Sequence, residues 1–287
     1  MPRIAIPLPH SSDPDYAQRS IPQYERAIEL AGGEPIRIPL DQPAEALLRI
    51  IESCDAVLLP GSKADVDPAK FHSQPSPHTA AADAARNAVD ELLLTHAYRQ
   101  RKPVLGICYG LQSLNVFRSG SLVQHIPDFL PEAVRNRVNH EAGKTVAIAH
   151  EVEIENASQL AKILCRDSRP GLSRAQLGGI ATAPAQNDHS VSYAFKSAAN
   201  AASPSGKNLI LPVNSSHHQS AETIGHGLRI IARCPADGII EALEGTADDH
   251  FVLAVQWHPE RSVDQDEPSR TLFRAFVEAA EEPSKKR

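Results

Sequence analysis

Short apolar runs, each followed by a segment of helical length and pattern, fill the stretch from Arg3 to Phe117 and limit the folds open to this chain. Arg3–Pro7, Pro35–Leu40, Asp55–Pro60 and Pro103–Ile107 read as strands. Ala17–Ala31 carries Tyr24, Ala27, Ile28 and Ala31 at helical spacing, and Gly32-Gly33 stops it. Ala44–Ser53, Ala84–Arg101 and Gly110–Phe117 supply three further helices. Four strands alternating with helices imply a parallel sheet covered by helices on both faces. The second half is richer in strands: Lys144–Ile154, Asn208–Val213, Leu228–Cys234, Gly238–Leu243 and Phe251–Gln256, with a closing helix at Ser269–Ala280. Residues 166–207 break the rhythm, being rich in Ser, Ala, Gly, Pro, Asn and Gln. A loop of that length is read as an insertion on the core, not as a domain. The expectation is a single α/β domain over residues 1–287. Pro68–Ala85 is a second, shorter irregular stretch.

The strongest chemical signal is Gly106-Ile107-Cys108-Tyr109-Gly110, which follows an apolar strand and opens a helix. This is a nucleophile elbow with cysteine in place of serine. The flanking glycines permit a sharp turn that lifts the thiol out of the sheet, and the helix N-terminus favours its thiolate. The Tyr109 backbone N–H would then help hold an oxyanion. The second signal is Gln256-Trp257-His258-Pro259-Glu260, after the last apolar strand. A histidine at a strand end can reach a nucleophile on a neighbouring strand, and Glu260 can fix its tautomer. Each motif has a bland reading alone, a buried core cysteine and a surface turn. Together they point to nucleophilic catalysis.

Other features narrow the class. The formal charge is −6, with no basic nucleic-acid footprint. Cys54, Cys108, Cys165 and Cys234 form no C-x-x-C pair, which argues against a disulfide framework or a cysteine zinc site. The opening M-P-R-I-A-I-P-L-P lacks the apolar region of a signal peptide. No apolar run approaches the ~18 residues of a transmembrane helix. A cytoplasmic protein with free thiols and no membrane attachment is expected. His217 and His218 are adjacent, but no third ligand lies at a useful spacing, so no metal site is expected. His140 and His150 read as ordinary core or surface residues. Asp65 and Asp67 read as caps of the turn before Pro68.

Gly106–Gln112 with Leu114-Asn115-Val116, and Gln256–Glu260, resemble the class I glutamine amidotransferase superfamily. Three stretches favour its γ-glutamyl hydrolase-like branch, which includes γ-glutamyl-γ-aminobutyrate hydrolases. They are Leu59-Pro60-Gly61-Ser62 with Asp65-Val66-Asp67-Pro68, Val213–Gln219 (V-N-S-S-H-H-Q), and Asp237–Ala242 (D-G-I-I-E-A). The resemblance implies a flavodoxin-like three-layer core with the cysteine at the C-terminal edge of a mostly parallel sheet. It implies a triad of Cys108, His258 and Glu260, with backbone oxyanion donors at Gly61 and Ser62 besides Tyr109. It places Gln112 and the loop residues His217, His218 and Gln219 toward a small γ-glutamyl substrate, and implies no cofactor. A homo-oligomer is compatible with it. The chain departs from the pattern with Ser62 for a usual glycine, Tyr109 for a usual arginine, and Ser119-Gly120-Ser121-Leu122-Val123-Gln124-His125 for G-G-x-L-x-Q-D. The leading expectation is a cysteine-dependent hydrolase of γ-glutamyl amides. A glutaminase component feeding ammonia to a synthetase and a non-catalytic binding or regulatory protein on the same fold stay open beside it.

Overall fold

The computed structural model describes residues 1–166 and 208–284. All but the first residue of the expected insert at 166–207 lies outside the described residues. The first half alternates as the sequence predicts. The elements are β1 (Arg3–Pro7), α1 (Pro14–Leu30), β2 (Glu34–Ile38), α2 (Ala44–Glu52), β3 (Ala56–Leu59), α3 (Ala84–Gln100), β4 (Val104–Ile107) and α4 (Tyr109–Phe117). There follow β5 (Leu122–Val123), α5 (Ile126–Phe129), α6 (Glu132–Arg135), β6 (His150–Ile154) and α7 (Gln159–Cys165). Beyond the insert come β7 (Leu209–Val213), β8 (Ser220–Ala221), β9 (Leu228–Arg233), β10 (Ile240–Gly245), β11 (Val252–Val255) and α8 (Glu267–Ser284).

Among the described residues, nine strands form one sheet in the order β2-β1-β3-β4-β11-β10-β9-β6-β7. The first five run parallel. With β11 counted as the fifth parallel strand, this is the 2-1-3-4-5 order of a flavodoxin-like sheet. The last four strands extend it in antiparallel fashion. The strand-rich second half is therefore an extension of one sheet. A short antiparallel ladder, β5 with β8, stands apart from it. Buried Asn115 on α4 ties that ladder down, donating to the Ser121 and Thr223 carbonyls and accepting from the Gly225 N–H.

Successive side chains on a strand point to opposite faces, and both faces of the parallel half are apolar. Ile4, Ile6, Leu58, Leu105, Ile107, Leu253 and Val255 join a core beneath α1, α7 and α8, where Tyr24, Ile28, Leu160, Phe273 and Phe276 meet them. Ala5, Val57, Leu59, Val104, Val252 and Ala254 meet Leu47, Ile51, Leu93, Leu111 and Leu114 from α2, α3 and α4. This is the expected three-layer core. Among the described residues no helix is long and apolar enough to cross a membrane, and all four cysteines are free.

Sequence-derived bounds differ from the observed ones mainly at the ends. The strand expected over Lys144–Ile154 begins at His150, because Ala142–Lys144 forms a 3₁₀ turn first. Within the irregular stretch after Pro68, Pro68–Phe71 is also a 3₁₀ turn, and Asp67 caps it by accepting from Ala69 N at 3.0 Å.

One buried cation fixes the loops at the C-terminal edge of the sheet. Arg86 on α3 is fully buried. Its Nε donates to Asp90 Oδ1 at 2.7 Å, and its terminal nitrogens donate to the carbonyls of Pro9, after β1, and Pro60, after β3. Removing one partner of a buried pair strands the other charge. Arg86→Ala should therefore lower unfolding stability by about 3–5 kcal/mol, measured by urea denaturation. A change under about 1 kcal/mol would show that Asp90 is satisfied without it.

Candidate active site

Parallel register brings the two chemical motifs together. Ile107, the last residue of β4, pairs with Val255, the last of β11. Cys108 follows the first strand at once, and His258 comes three residues after the second. Cys108 caps α4 with φ 53° and ψ −106°, and its N–H donates to the Val255 carbonyl at 2.8 Å. A side chain rarely takes that conformation. The turn depends on its glycines. A Cβ on Gly110 would lie 2.1 Å from the Leu59 carbonyl oxygen, and one on Gly106 would lie 2.8 Å from the Gly110 carbonyl oxygen. The thiol thus stands at the N-terminus of α4, with 7% of the residue exposed.

His258 and Glu260 are both 3% exposed. His258 Nδ1 lies 2.7 Å from Glu260 Oε1, so Nδ1 carries the proton toward the carboxylate and Nε2 is the ring nitrogen left available to Cys108. Sequence reasoning quoted Asn214 only as part of a motif. In the structure its side chain grips the His258 backbone: Oδ1 accepts from His258 N at 2.8 Å and Nδ2 donates to His258 O at 2.9 Å. The link explains why a loop in the antiparallel extension bears on a histidine in the parallel half.

The loop after β3 also reaches this point. A Cβ built on Gly61 would lie 3.1 Å from His258 Cε1 and 3.7 Å from Cys108 Cβ. Its N–H, however, donates to the buried Tyr24 hydroxyl at 3.0 Å. Ser62 keeps a negative φ, so serine in place of glycine costs no left-handed strain there; its hydroxyl accepts from Ala64 N at 3.1 Å. Ser119, another departure from the family pattern, does take the left-handed region, with φ 71°. The Tyr109 backbone opens α4. Its ring is buried under the Arg86 guanidinium, and its hydroxyl donates to Asn87 Oδ1.

The residues expected to face substrate are mostly engaged within the protein. Gln112 is buried, its Nε2 donating to the Gln219 carbonyl at 3.2 Å. Gln219 donates to the Gln124 carbonyl. His218 is half-buried, unlike its buried neighbours His217 and Gln219, with Nε2 3.1 Å from Asp65 Oδ1. Asp65 therefore pairs with a histidine and accepts from Ala80 N; it does not cap the turn as Asp67 does. His217 turns its ring to Glu241, joined there by His140 and His150. His140 and His150, expected as ordinary core or surface histidines, lie within one cluster, and spacing could not reveal a cluster drawn from four separate segments.

A family model for peptidase C26 matches residues 6–174 and 173–260. The chain belongs to the peptidase C26 family. Over 259 residues it is 32% identical to a candidate glutamine amidotransferase of Mycobacterium tuberculosis, covering 90% of this chain and 66%, just under two thirds, of that one. Over 262 residues it is 29% identical to the γ-glutamyl-γ-aminobutyrate hydrolase PuuD of Escherichia coli, covering 90% of this chain and 85% of that one. The fold is shared with the CTPS glutaminase domain of Trypanosoma brucei with bound acivicin, at TM-score 0.55 and 16% identity over 98% of this chain and 94% of that chain.

Charge around Cys108 favours a protonated His258 ring. Burial works against a charged His258 ring, but Glu260 and then the Cys108 sulfur outweigh it and raise its pKa to about 9. Burial likewise works against the Glu260 carboxylate, yet His258 holds its pKa below the ordinary value. Sequence reasoning missed Tyr16, whose phenol is pushed up to about 12 by burial and by the charges of Cys108 and Glu260; only its place in α1 could have hinted at this. Stability drawn from the His258 proton is complete below pH 6.5 and is lost as pH rises through about 9. An NMR titration of the His258 ring should give a midpoint near pH 9, and Glu260→Gln should move it down by about one unit or more. A wild-type midpoint at or below 6.5 would contradict this electrostatic account.

Proposed function

We propose that the chain is a cysteine-dependent hydrolase of γ-glutamyl amide bonds in small molecules, acting through a γ-glutamyl thioester on Cys108. The observation that carries the reading is the strained Cys108 elbow beside a His258 ring whose Nδ1 is held 2.7 Å from buried Glu260.

The chemistry runs in two halves. The proton shared between Cys108 and His258 rests on the His258 ring, and the Cys108 sulfur forms a bond to the γ-carbonyl carbon. The carbonyl electrons move to oxygen, where the Tyr109 and Ser62 backbone N–H groups donate to the oxyanion. Gly61 is a poorer donor in this reading, since an oxyanion there would compete with the Tyr24 hydroxyl for its N–H. The C–N bond breaks as His258 returns its proton to the leaving amine. Water then gives a proton to His258 and bonds to the acyl carbon. The C–S bond breaks, glutamate leaves, and the thiol is restored. Glu260 orients the ring and offsets its charge without itself reacting.

For the amine, the supports are the similarity to a γ-glutamyl-γ-aminobutyrate hydrolase and the loop from Val213 to Gln219. A hydrolase of this kind needs no acceptor site, because water completes the reaction. Glutamate release from a panel of γ-glutamyl amides tests the reading. We expect turnover by the purified chain alone, with at least one amide of a larger amine preferred over glutamine in kcat/KM. Cys108→Ala should lower kcat by roughly 10⁴-fold or more. Activity surviving in Cys108→Ala would sink the mechanism. Glutamine as the best substrate, with strong activation by cell extract, would replace it with a glutaminase serving a synthetase. Alkylation of Cys108 by iodoacetamide, with no turnover on any amide, would replace it with a binding role.

A further inference from the structure

We propose that His140, His150, His217 and Glu241 form a closed, tetrahedral site for one divalent transition-metal ion of the zinc class. The four residues come from the segment between α6 and β6, the first position of β6, the loop between β7 and β8, and the second position of β10. Their side chains are at most 4% exposed. Around Glu241 Oε1 stand His140 Nδ1 at 3.2 Å, His150 Nε2 at 3.3 Å and His217 Nε2 at 3.6 Å. One donor atom from each residue lies within 4.8 Å of all the others. Zinc–nitrogen and zinc–oxygen bonds of about 2.0–2.1 Å in a tetrahedron put neighbouring donors about 3.3–3.4 Å apart. The three distances to Glu241 Oε1 match that spacing. The rings are splayed, His140 to His150 at 67° and His140 to His217 at 50°, and not stacked.

Hydrogen bonding fixes what the inward atoms are. His140 Nε2 lies 2.9 Å from Asp237 Oδ2, His150 Nδ1 lies 3.0 Å from the Glu151 carbonyl, and His217 Nδ1 lies 2.8 Å from the Gln219 carbonyl. Each outward nitrogen faces an acceptor and so carries the ring proton. Each neutral ring then turns a lone pair inward. His140 Nδ1, His150 Nε2, His217 Nε2 and both Glu241 oxygens are buried with no hydrogen-bond partner in the protein. Three lone pairs aimed at a carboxylate repel unless positive charge sits among them. Protonating all three rings would bury three cations against two carboxylates, Glu241 and Asp237, and protonating His140 alone would leave the inward lone pairs of His150 and His217 facing the Glu241 carboxylate. One divalent ion balances those two carboxylates and completes every inward atom. A carboxylate or carbonyl behind each ligating histidine is also the usual outer shell of such sites.

Four protein ligands leave no open position for a substrate, so the site is structural. It would fasten the loop that carries both His217 and Asn214, and Asn214 grips the His258 backbone. The proposal does not depend on the hydrolase reading.

The test uses the full chain, stripped with a strong chelator and titrated with Co²⁺ as a spectroscopic probe and with Zn²⁺ in thermal melts. We expect one equivalent of Co²⁺ to give the intense visible bands of tetrahedral coordination, one equivalent of Zn²⁺ to displace it, and Zn²⁺ to raise Tm. Glu241→Gln should weaken binding about tenfold or more. His78→Ala should leave the spectrum intact, because His78 belongs to a more exposed group with His125 and Asp128. If Glu241→Gln fails to fold, the wild-type cobalt spectrum and stoichiometry decide alone. Weak octahedral bands, binding below one equivalent, loss of the spectrum in His78→Ala, or equal affinity in a folded Glu241→Gln variant would overturn the proposal.

Discussion

Everything in the reactive half of this protein depends on one backbone conformation, that of Cys108 at the junction of β4 and α4. With φ 53° and ψ −106° the residue sits where a side chain costs of order 1–3 kcal/mol. The surroundings hold it there. The Cys108 N–H is bonded to β11, Ile107 is in the sheet, and Gly110 lies so close to the Leu59 carbonyl that no side chain fits. The strain points the sulfur out of the sheet at the start of a helix, where partial positive charge gathers. Strands β3 and β11 flank β4 on either side, and they lead to Gly61 and His258.

The sheet has two halves with different tasks. The parallel half places the loops after β3, β4 and β11 at one edge, the usual crevice of an open α/β sheet. The antiparallel half extends outward through β10, β9, β6 and β7 and sends one loop back, that running from Asn214 to Gln219. Asn214 bonds both the N–H and the carbonyl of His258, so His258 is held by Glu260 at its ring and by Asn214 at its backbone. The histidines around Glu241 lie at the root of the same loop.

The parallel half was largely legible in the sequence. Its strands are compact apolar runs, its helices carry clear periodicity, and the elbow pentad is local, so Cys108 and its turn could be read without knowing the fold. His258 and Glu260 were legible because they follow a strand directly and lie two residues apart. What the sequence did not disclose depends on distant pairing. The order β10-β9-β6-β7 rests on registers between segments far apart in the chain. Two-residue strands such as β5 and β8, and four-residue helices such as α5 and α6, are too short to show a period. Tyr24 reads as a core position of α1, and its hydroxyl bond to Gly61 appears only when the helix docks. His140, His150, His217 and Glu241 show no ligand spacing at all, because β6, β10 and two loops bring them together.

The central claim is that Cys108 becomes covalently acylated with His258 as its proton partner. Acid quenching during turnover of a γ-glutamyl amide, followed by mass spectrometry of the peptide containing Cys108, tests it directly. The account predicts that this peptide gains the mass of one γ-glutamyl group, that the adduct disappears with hydroxylamine as a thioester should, and that Cys108→Ala shows none. Full turnover with no adduct on Cys108 at any quench time, or the same adduct on another residue, would contradict it.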